Sequence, residues 1–195
     1  RRNFDYIVTF ILHTAASGGA LIAMTGNEVV MGDMAQLSPI DVQVDYKGQR
    51  VSANTMEIAI AKLEEYFKDK MSEEAPYPWQ VLAEKIDPIL RADWGAHINT
   101  IWRYAGDILS KSGYNQTDIS RIRSNLIFTT YDHDFVINRD LANNYGFNIV
   151  EDPKYNDILD KMRPWLGKYM LEEGGKHVIR YILPDTKTQK VSKAG

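Results

Sequence analysis

The 195-residue sequence predicts an α/β protein whose second half is mainly helical. Two patterns predict this class. Short apolar runs with strand character dominate residues 6–51, whereas apolar residues at helical spacing dominate from residue 54 onward. Hydrophobic residues make up 44% of the chain and charged residues 25%, which is ordinary for a domain that buries a sizeable core.

The first half is expected to carry the β-structure. Its strand-like runs are short and are separated by turn-forming residues, with Lys47-Gly48 as the turn of a hairpin. A turn of small residues leads from the first run into a short helix at residues 20–24. The predicted strands are residues 6–13, 28–31, 35–37, 42–46 and 49–51.

The second half is expected to be a series of helices. Apolar residues recur every three or four positions in each segment, and capping residues stand at several of the starts. Thr117-Asp118 is predicted to cap one helix, and Pro164 is predicted to kink or break the last. The predicted helices are residues 54–67, 88–110, 117–129, 138–146 and 154–172, followed by a strand at 177–183 and a polar tail at 184–195.

The composition excludes several classes of function. The sequence has no cysteine, which rules out disulfides, thiolate zinc sites and cysteine nucleophiles. A net charge of −3 without a long basic run argues against nucleic acid as a partner. No apolar run approaches the ~20 residues needed to cross a bilayer. Adjacent side chains in the extended segment Asp132-His133-Asp134 point to opposite faces and no second ligand cluster appears, so no metal is expected. No cofactor is expected either.

The turn at residues 15–20, Ala-Ala-Ser-Gly-Gly-Ala, is the most informative segment. A serine between a strand and a helix can present its hydroxyl where free backbone N–H groups favour an oxyanion. Gly18 and Gly19 lack a Cβ, which lets a substrate carbonyl approach the backbone closely. The alternative is structural, because serine before a helix is also a common N-cap. Both interpretations of Ser17 remain open at this point.

Two sequence blocks together resemble the serine dehydrogenase proteinase family of the Clp-protease/crotonase superfamily. The first, residues 13–43, contains HTAASGGALIAM, NEVVMG and AQLSPIDVQ, similar to the family's nucleophile segment and its closing A-x-L-G-P-x-D-P-Q. The second, residues 133–146, is HDFVINRDLANNYG and resembles S-H-G-F-x-I-D-x-E-E-A-x-x-x-G-L. Two blocks in the right order are more specific than one short motif. The resemblance implies a ClpP/crotonase-like layered β-sheet with flanking helices.

The resemblance also implies roles for individual residues. Ser17 matches the nucleophile, and Gly18 matches the residue whose N–H helps to form the oxyanion hole. A serine hydroxyl needs a base that a third group orients. In the related Clp proteases the triad Asp falls at the position of His133 and the triad His falls near Asp41. We therefore expect the two roles to be exchanged, with His133 as the base and Asp41 as its orienting carboxylate, an order that a triad allows. The candidate pocket residues are His13, Gly19 and Asp134.

Other assignments of the base remain open. His133 could be a solvated turn residue, and Asp41 could be a carboxylate that stabilises a turn. Signal peptide peptidase A, a related enzyme, uses a Ser–Lys dyad with a desolvated lysine. Lys47 is the nearest lysine after the nucleophile block, but a lysine in a turn is normally solvated. His133 is therefore preferred to Lys47.

The chain also departs from the family pattern. Leu12 replaces a proline, Ser38 replaces a glycine and Val42 replaces a proline, while Asn27 and Asp134 stand where the family has Asp and often Gly. The family's Pro-Gly-Gly loop, which supplies the second oxyanion N–H, would precede Arg1. We therefore expect that an upstream strand and loop are missing from the sequence. The departures mark a divergent member.

Three functions follow as hypotheses. The first is a serine endopeptidase-like hydrolase that cleaves a peptide or protein substrate; the second is a non-catalytic oligomeric scaffold of the same fold; the third is a crotonase-type acyl-CoA enzyme. The expected organisation is a peptidase-like domain at 1–150, a helix-and-strand extension at 151–183 and a tail at 184–195. The resemblance implies a homo-oligomer. We expect a cytoplasmic location, or membrane attachment through a segment upstream of Arg1.

Overall fold

The computed structural model describes residues 4–68, 81, 87–129 and 134–172, and shows a mixed α/β protein. All six strands of these described ranges lie before residue 53, with one short helix among them, and helices follow, as the sequence predicts. The strands are β1 (Val8–Ile11), β2 (Thr14–Ala15), β3 (Glu28–Met31), β4 (Gln36–Leu37), β5 (Gln43–Tyr46) and β6 (Gln49–Ser52). The helices are α1 (Gly18–Ala23), α2 (Ala53–Phe67), α3 (Pro88–Lys111), α4 (Gln116–Arg123), a π-helix (Ser124–Thr129), α5 (Arg139–Tyr145), a 3-10 turn (Pro153–Tyr155) and α6 (Asn156–Glu172).

Two short parallel ladders position the small-residue turn. β1 pairs with β3, with Val8 opposite Glu28, and β2 pairs with β4, with Thr14 opposite Gln36. The first predicted strand, residues 6–13, is therefore shorter than expected, and β2 is a separate short strand that the sequence did not predict. The reason lies on the partner side, where a turn at residues 32–35 separates β3 from β4 and interrupts the ladder.

Segments from the helical half extend these ladders. Val29 forms a parallel bridge with Ile149, and Leu37 forms an antiparallel bridge with Ile137. Both bridges lie on the side of β3 and β4 that faces away from β1 and β2. The chain after residue 134 is thereby attached to the strand that lies beside the small-residue turn.

The helices follow the predicted apolar spacing closely. α3 runs one residue beyond the predicted end, and its buried face includes Trp94, Ile98 and Ala105. Tyr46 of the hairpin packs edge-on against Trp94, with ring centroids 5.7 Å apart. The hairpin is confirmed, with Lys47 and Gly48 both at positive φ in its turn.

Two details of the helical half differ from the prediction. Asn115, not Thr117, caps α4, because its side chain accepts a hydrogen bond from Asp118 N–H at 2.9 Å. Pro164 does not break α6, which continues to Glu172. Because Pro164 is exposed, water can satisfy the carbonyl that loses its helical partner there.

Some expectations fall outside the described ranges. They are the base His133, the strand at 177–183 and the tail at 184–195. Among the helices of the described ranges, none combines the length and apolar character that a membrane span requires.

Candidate functional site

Ser17 has an unusual backbone conformation at the start of α1. Its φ is 45° and its ψ is −103°, so a residue with a Cβ occupies a region that favours glycine. Its side chain makes no capping hydrogen bond to α1. The simple N-cap interpretation is therefore wrong, since an N-cap serine accepts a hydrogen bond from the first turn in an extended conformation.

Main-chain hydrogen bonds hold the turn around Ser17. Its carbonyl accepts from Ala20 N–H at 3.0 Å and from Leu21 N–H at 3.2 Å, and Gly19 N–H donates to Ala16 at 2.7 Å. The Ser17 amide donates to the hydroxyl of Ser38 at 3.3 Å. These bonds fix the backbone and leave the half-buried Ser17 hydroxyl uncommitted to the helix.

The two glycines after Ser17 have different surroundings. A Cβ placed on Gly18 would meet nothing within 4 Å, and Gly18 is exposed. A Cβ on Gly19 would contact the Ala15 Cβ at 3.4 Å. Gly18 thus borders open space that a substrate carbonyl could enter, whereas Gly19 lies close to β2.

His13 and Gly19 line a cavity of about 270 Å³ between α1 and the edge of β1 and β2. Its walls include the exposed Ile22 and the backbone from Thr9 to Ala15. The His13 ring nitrogen Nδ1 lies 2.9 Å from the hydroxyl of Thr14, which also accepts from the Gln36 amide at 3.1 Å. His13 is therefore engaged with the β2–β4 ladder, and no hydrogen bond connects it to Ser17 within the described part of the chain.

Asp41 is half-buried and accepts a hydrogen bond from the side-chain amide of Gln43. The preceding residue is fixed, because Ile40 N–H donates to the Leu126 carbonyl in the π-helix at 2.8 Å. This arrangement holds the Asp41 carboxylate in a defined loop. One of its oxygens already has a partner.

The segment after the proposed base runs beside the serine turn. Leu37 and Ile137 exchange backbone hydrogen bonds of 2.9 and 3.0 Å. Leu37 precedes Ser38, whose hydroxyl binds the Ser17 amide. Asp134, where the described chain resumes, is exposed at the start of this segment.

Lys47 does not satisfy the requirement for a Ser–Lys dyad. It is exposed in the β5–β6 turn, with its ammonium 4.9 Å from the ring centroid of Tyr46. A lysine base must be desolvated to lose its proton near neutral pH. Lys47 in this position is available to water.

Ser38 is the residue that sequence reasoning missed. The sequence showed only that a serine stands where the resembling family has a glycine. Its partner lies 21 residues away, so no local pattern indicates their contact.

No protein-family model, curated protein or solved structure matches this chain.

Proposed function

We propose that this protein is a serine peptidase-like hydrolase with a ClpP/crotonase-like layered sheet, and that it cleaves peptide bonds through an acyl-enzyme on Ser17. The observation that carries the proposal is the conformation of Ser17, a non-glycine residue at φ 45° whose hydroxyl does not cap the helix it precedes. Strained conformations of this kind cluster at active sites. The open space beside Gly18 supports the same role.

The proposed reaction uses four groups. Ser17 Oγ attacks the carbonyl carbon of the scissile bond while His133 accepts the hydroxyl proton, and Asp41 orients the imidazole. The N–H of Gly18 donates to the resulting oxyanion. His133 then gives the proton to the leaving amine, the C–N bond breaks, and a water molecule hydrolyses the acyl-enzyme.

The course of the described chain supports His133. Ile137, four residues later in the sequence, pairs with Leu37 beside the turn that Ser17 occupies. Asp41 lies in the loop that follows β4, the strand that contains Leu37. The chain that carries Asp41 and the chain that resumes at Asp134 are thus joined through one backbone pair.

The further features of the proposal are a peptide or protein substrate, homo-oligomeric assembly and a cytoplasmic location. The substrate follows from the chemistry of an activated serine beside an oxyanion donor. Oligomerisation and location rest on the sequence resemblance alone.

A non-catalytic scaffold is the second candidate. The hydrogen bond from the Gln43 side-chain amide to Asp41 favours it, because it gives this carboxylate a structural partner within its own loop. Under this alternative Ser17 keeps its conformation but does not react.

A fluorophosphonate probe distinguishes the two candidates. The hydrolase proposal predicts covalent labelling of the unsubstituted protein and loss of labelling in Ser17→Ala. Ser52→Ala is the matched control, since Ser52 is an ordinary N-cap of α2 with its hydroxyl bonded to Thr55 N–H. Labelling that persists in Ser17→Ala, or that is absent from folded native protein, would contradict the hydrolase proposal.

A further inference from the structure

Ser38 forms hydrogen bonds to two positions of the turn that carries Ser17, Ala15 and Ser17 itself. Its hydroxyl oxygen accepts from the Ser17 amide at 3.3 Å, and its own amide donates to the Ala15 carbonyl at 3.3 Å. The Ser38 hydroxyl in turn donates to the Pro39 carbonyl at 3.3 Å. With 7% exposure, Ser38 is buried, so water cannot readily replace these bonds.

The bond to Ser38 supports Ser17, whose backbone conformation is strained. A side chain at φ 45° is strained, and such a conformation persists only where its surroundings over-determine it. The amide of Ser17 is the group that must find an acceptor when the backbone turns in this way. Ser38 directly follows β4 and supplies the acceptor from there, which ties the turn to the β2–β4 ladder.

The hydrogen bond from the Ser17 amide to Ser38 also determines which backbone N–H groups of the turn can donate to an oxyanion. Because the Ser17 N–H is directed to Ser38, it is not available to an oxyanion. The N–H of Gly18, beside the open space, remains the donor from this turn. The resembling family has a glycine at position 38, which offers no side-chain acceptor, so this arrangement belongs to the present chain.

We infer that Ser38 is a positioning residue for acylation of Ser17. It fixes the Ser17 backbone so that the hydroxyl faces the substrate and Gly18 supplies the oxyanion donor. The inference rests on the proposed hydrolase function. Ser38 itself touches neither substrate nor proton in the reaction.

The test compares fluorophosphonate labelling rates of four full-length proteins: native, Ser38→Ala, Ser38→Thr and Ser52→Ala. Saturation kinetics separate probe binding from the rate of bond formation. Ser38→Ala is expected to lower the bond-forming rate by about 10- to 100-fold while probe affinity changes little, as expected for a misplaced nucleophile. Ser38→Thr retains the hydroxyl and is expected to restore most of the rate.

Ser52→Ala is the matched control, because it removes a serine hydroxyl that also accepts a backbone N–H at 3.3 Å. It is expected to leave the bond-forming rate unchanged even where it lowers thermal stability. Equal rates in native protein and Ser38→Ala would overturn the positioning role while leaving the hydrolase proposal intact. Absence of labelling in the native protein would overturn both.

A measurement on the native protein covers the case in which Ser38→Ala does not fold. The hydrogen bond to Ser38 predicts slow hydrogen exchange of the Ser17 amide, observable by NMR. The exposed Gly18 amide, in the same turn, is the internal reference and is expected to exchange faster. Exchange of the Ser17 amide as fast as that of Gly18 would overturn the inference.

Discussion

The N-cap residues of α5 and α1 differ in backbone conformation and in the hydrogen bonds of their side chains. At α5, Asn138 has φ −73° and ψ 179°, and its side chain accepts from Leu141 N–H at 2.9 Å. At α1, Ser17 has φ 45° and ψ −103°, and its side chain accepts no such bond. Asn138 uses its side chain to begin a helix, whereas Ser17 makes no capping bond to α1 and its amide is bonded to Ser38.

Residue type does not explain the difference. Ser52, also a serine, caps α2 with φ −69° and ψ 125° and accepts from Thr55 N–H. A serine in this chain therefore adopts ordinary capping geometry where nothing else is required of it. The conformation of Ser17 is a property of its turn, which we attribute to the proposed reaction.

The largest expected effect is on the reactivity of Ser17. His133→Ala is expected to slow fluorophosphonate labelling by about 10²- to 10⁴-fold, the usual contribution of a general base. Lys47→Ala is the control and is expected to label at the native rate, since Lys47 is exposed in a hairpin turn. The reverse result, with labelling lost only in Lys47→Ala, would replace the triad with a Ser–Lys dyad.

The second prediction concerns the structural helix start. Asn138→Ala removes a capping acceptor, and we expect it to lower the free energy of unfolding by about 1 kcal/mol. Urea denaturation measures this change. The matched change, Ser17→Ala, removes no capping bond and is expected to cost less. A larger loss in Ser17→Ala than in Asn138→Ala would mean that Ser17 also stabilises α1.

The third prediction is a substitution at Ser17 that raises the free energy of unfolding. Ser17→Gly relieves the strain of a Cβ at positive φ, and we expect a gain of about 1 kcal/mol in the free energy of unfolding together with complete loss of labelling. Asn138→Gly provides the comparison and is expected to give no gain, because φ is already −73° there. A loss of stability in Ser17→Gly would remove the argument from strain.

The smallest expected effect is on the pH dependence of stability, at a carboxylate outside both helix starts. Hydrogen bonds from Tyr155 and Tyr6 lower the pKa of Glu28, at the start of β3. A carboxyl pKa that is lower in the folded state stabilises the fold above the unfolded pKa, and this contribution is lost as pH falls through the folded value. Glu28→Gln is therefore expected to reduce the acid dependence of stability below about pH 4.5. An unchanged acid limb of the unfolding profile would contradict this.

Local patterns in the sequence were sufficient for much of the fold. β3 occupies the predicted residues because its apolar run is bounded by turns, and Lys47-Gly48 suits a tight hairpin. The cap of α4 was misplaced because Asn115 and Thr117 are both good capping residues, and only geometry selects between them. The end of β1 and the separate strand β2 could not be predicted, since their cause is the turn between the partner strands β3 and β4.

The candidate site was predictable only in part. Ser17 was identified from its small neighbours, but its φ and its uncommitted hydroxyl are properties of the folded turn. Ser38 depends on a contact between residues 21 positions apart, which no local pattern encodes. The roles of His133 and Asp41 stay predictions.

The most direct test of the central claim is to map the site of fluorophosphonate modification in the native protein by peptide mass spectrometry. The account predicts a single phosphonyl adduct on the hydroxyl of Ser17, formed by the folded protein and not after heat denaturation. An adduct on another residue, or equal modification of folded and denatured protein, would contradict the claim that the turn activates Ser17.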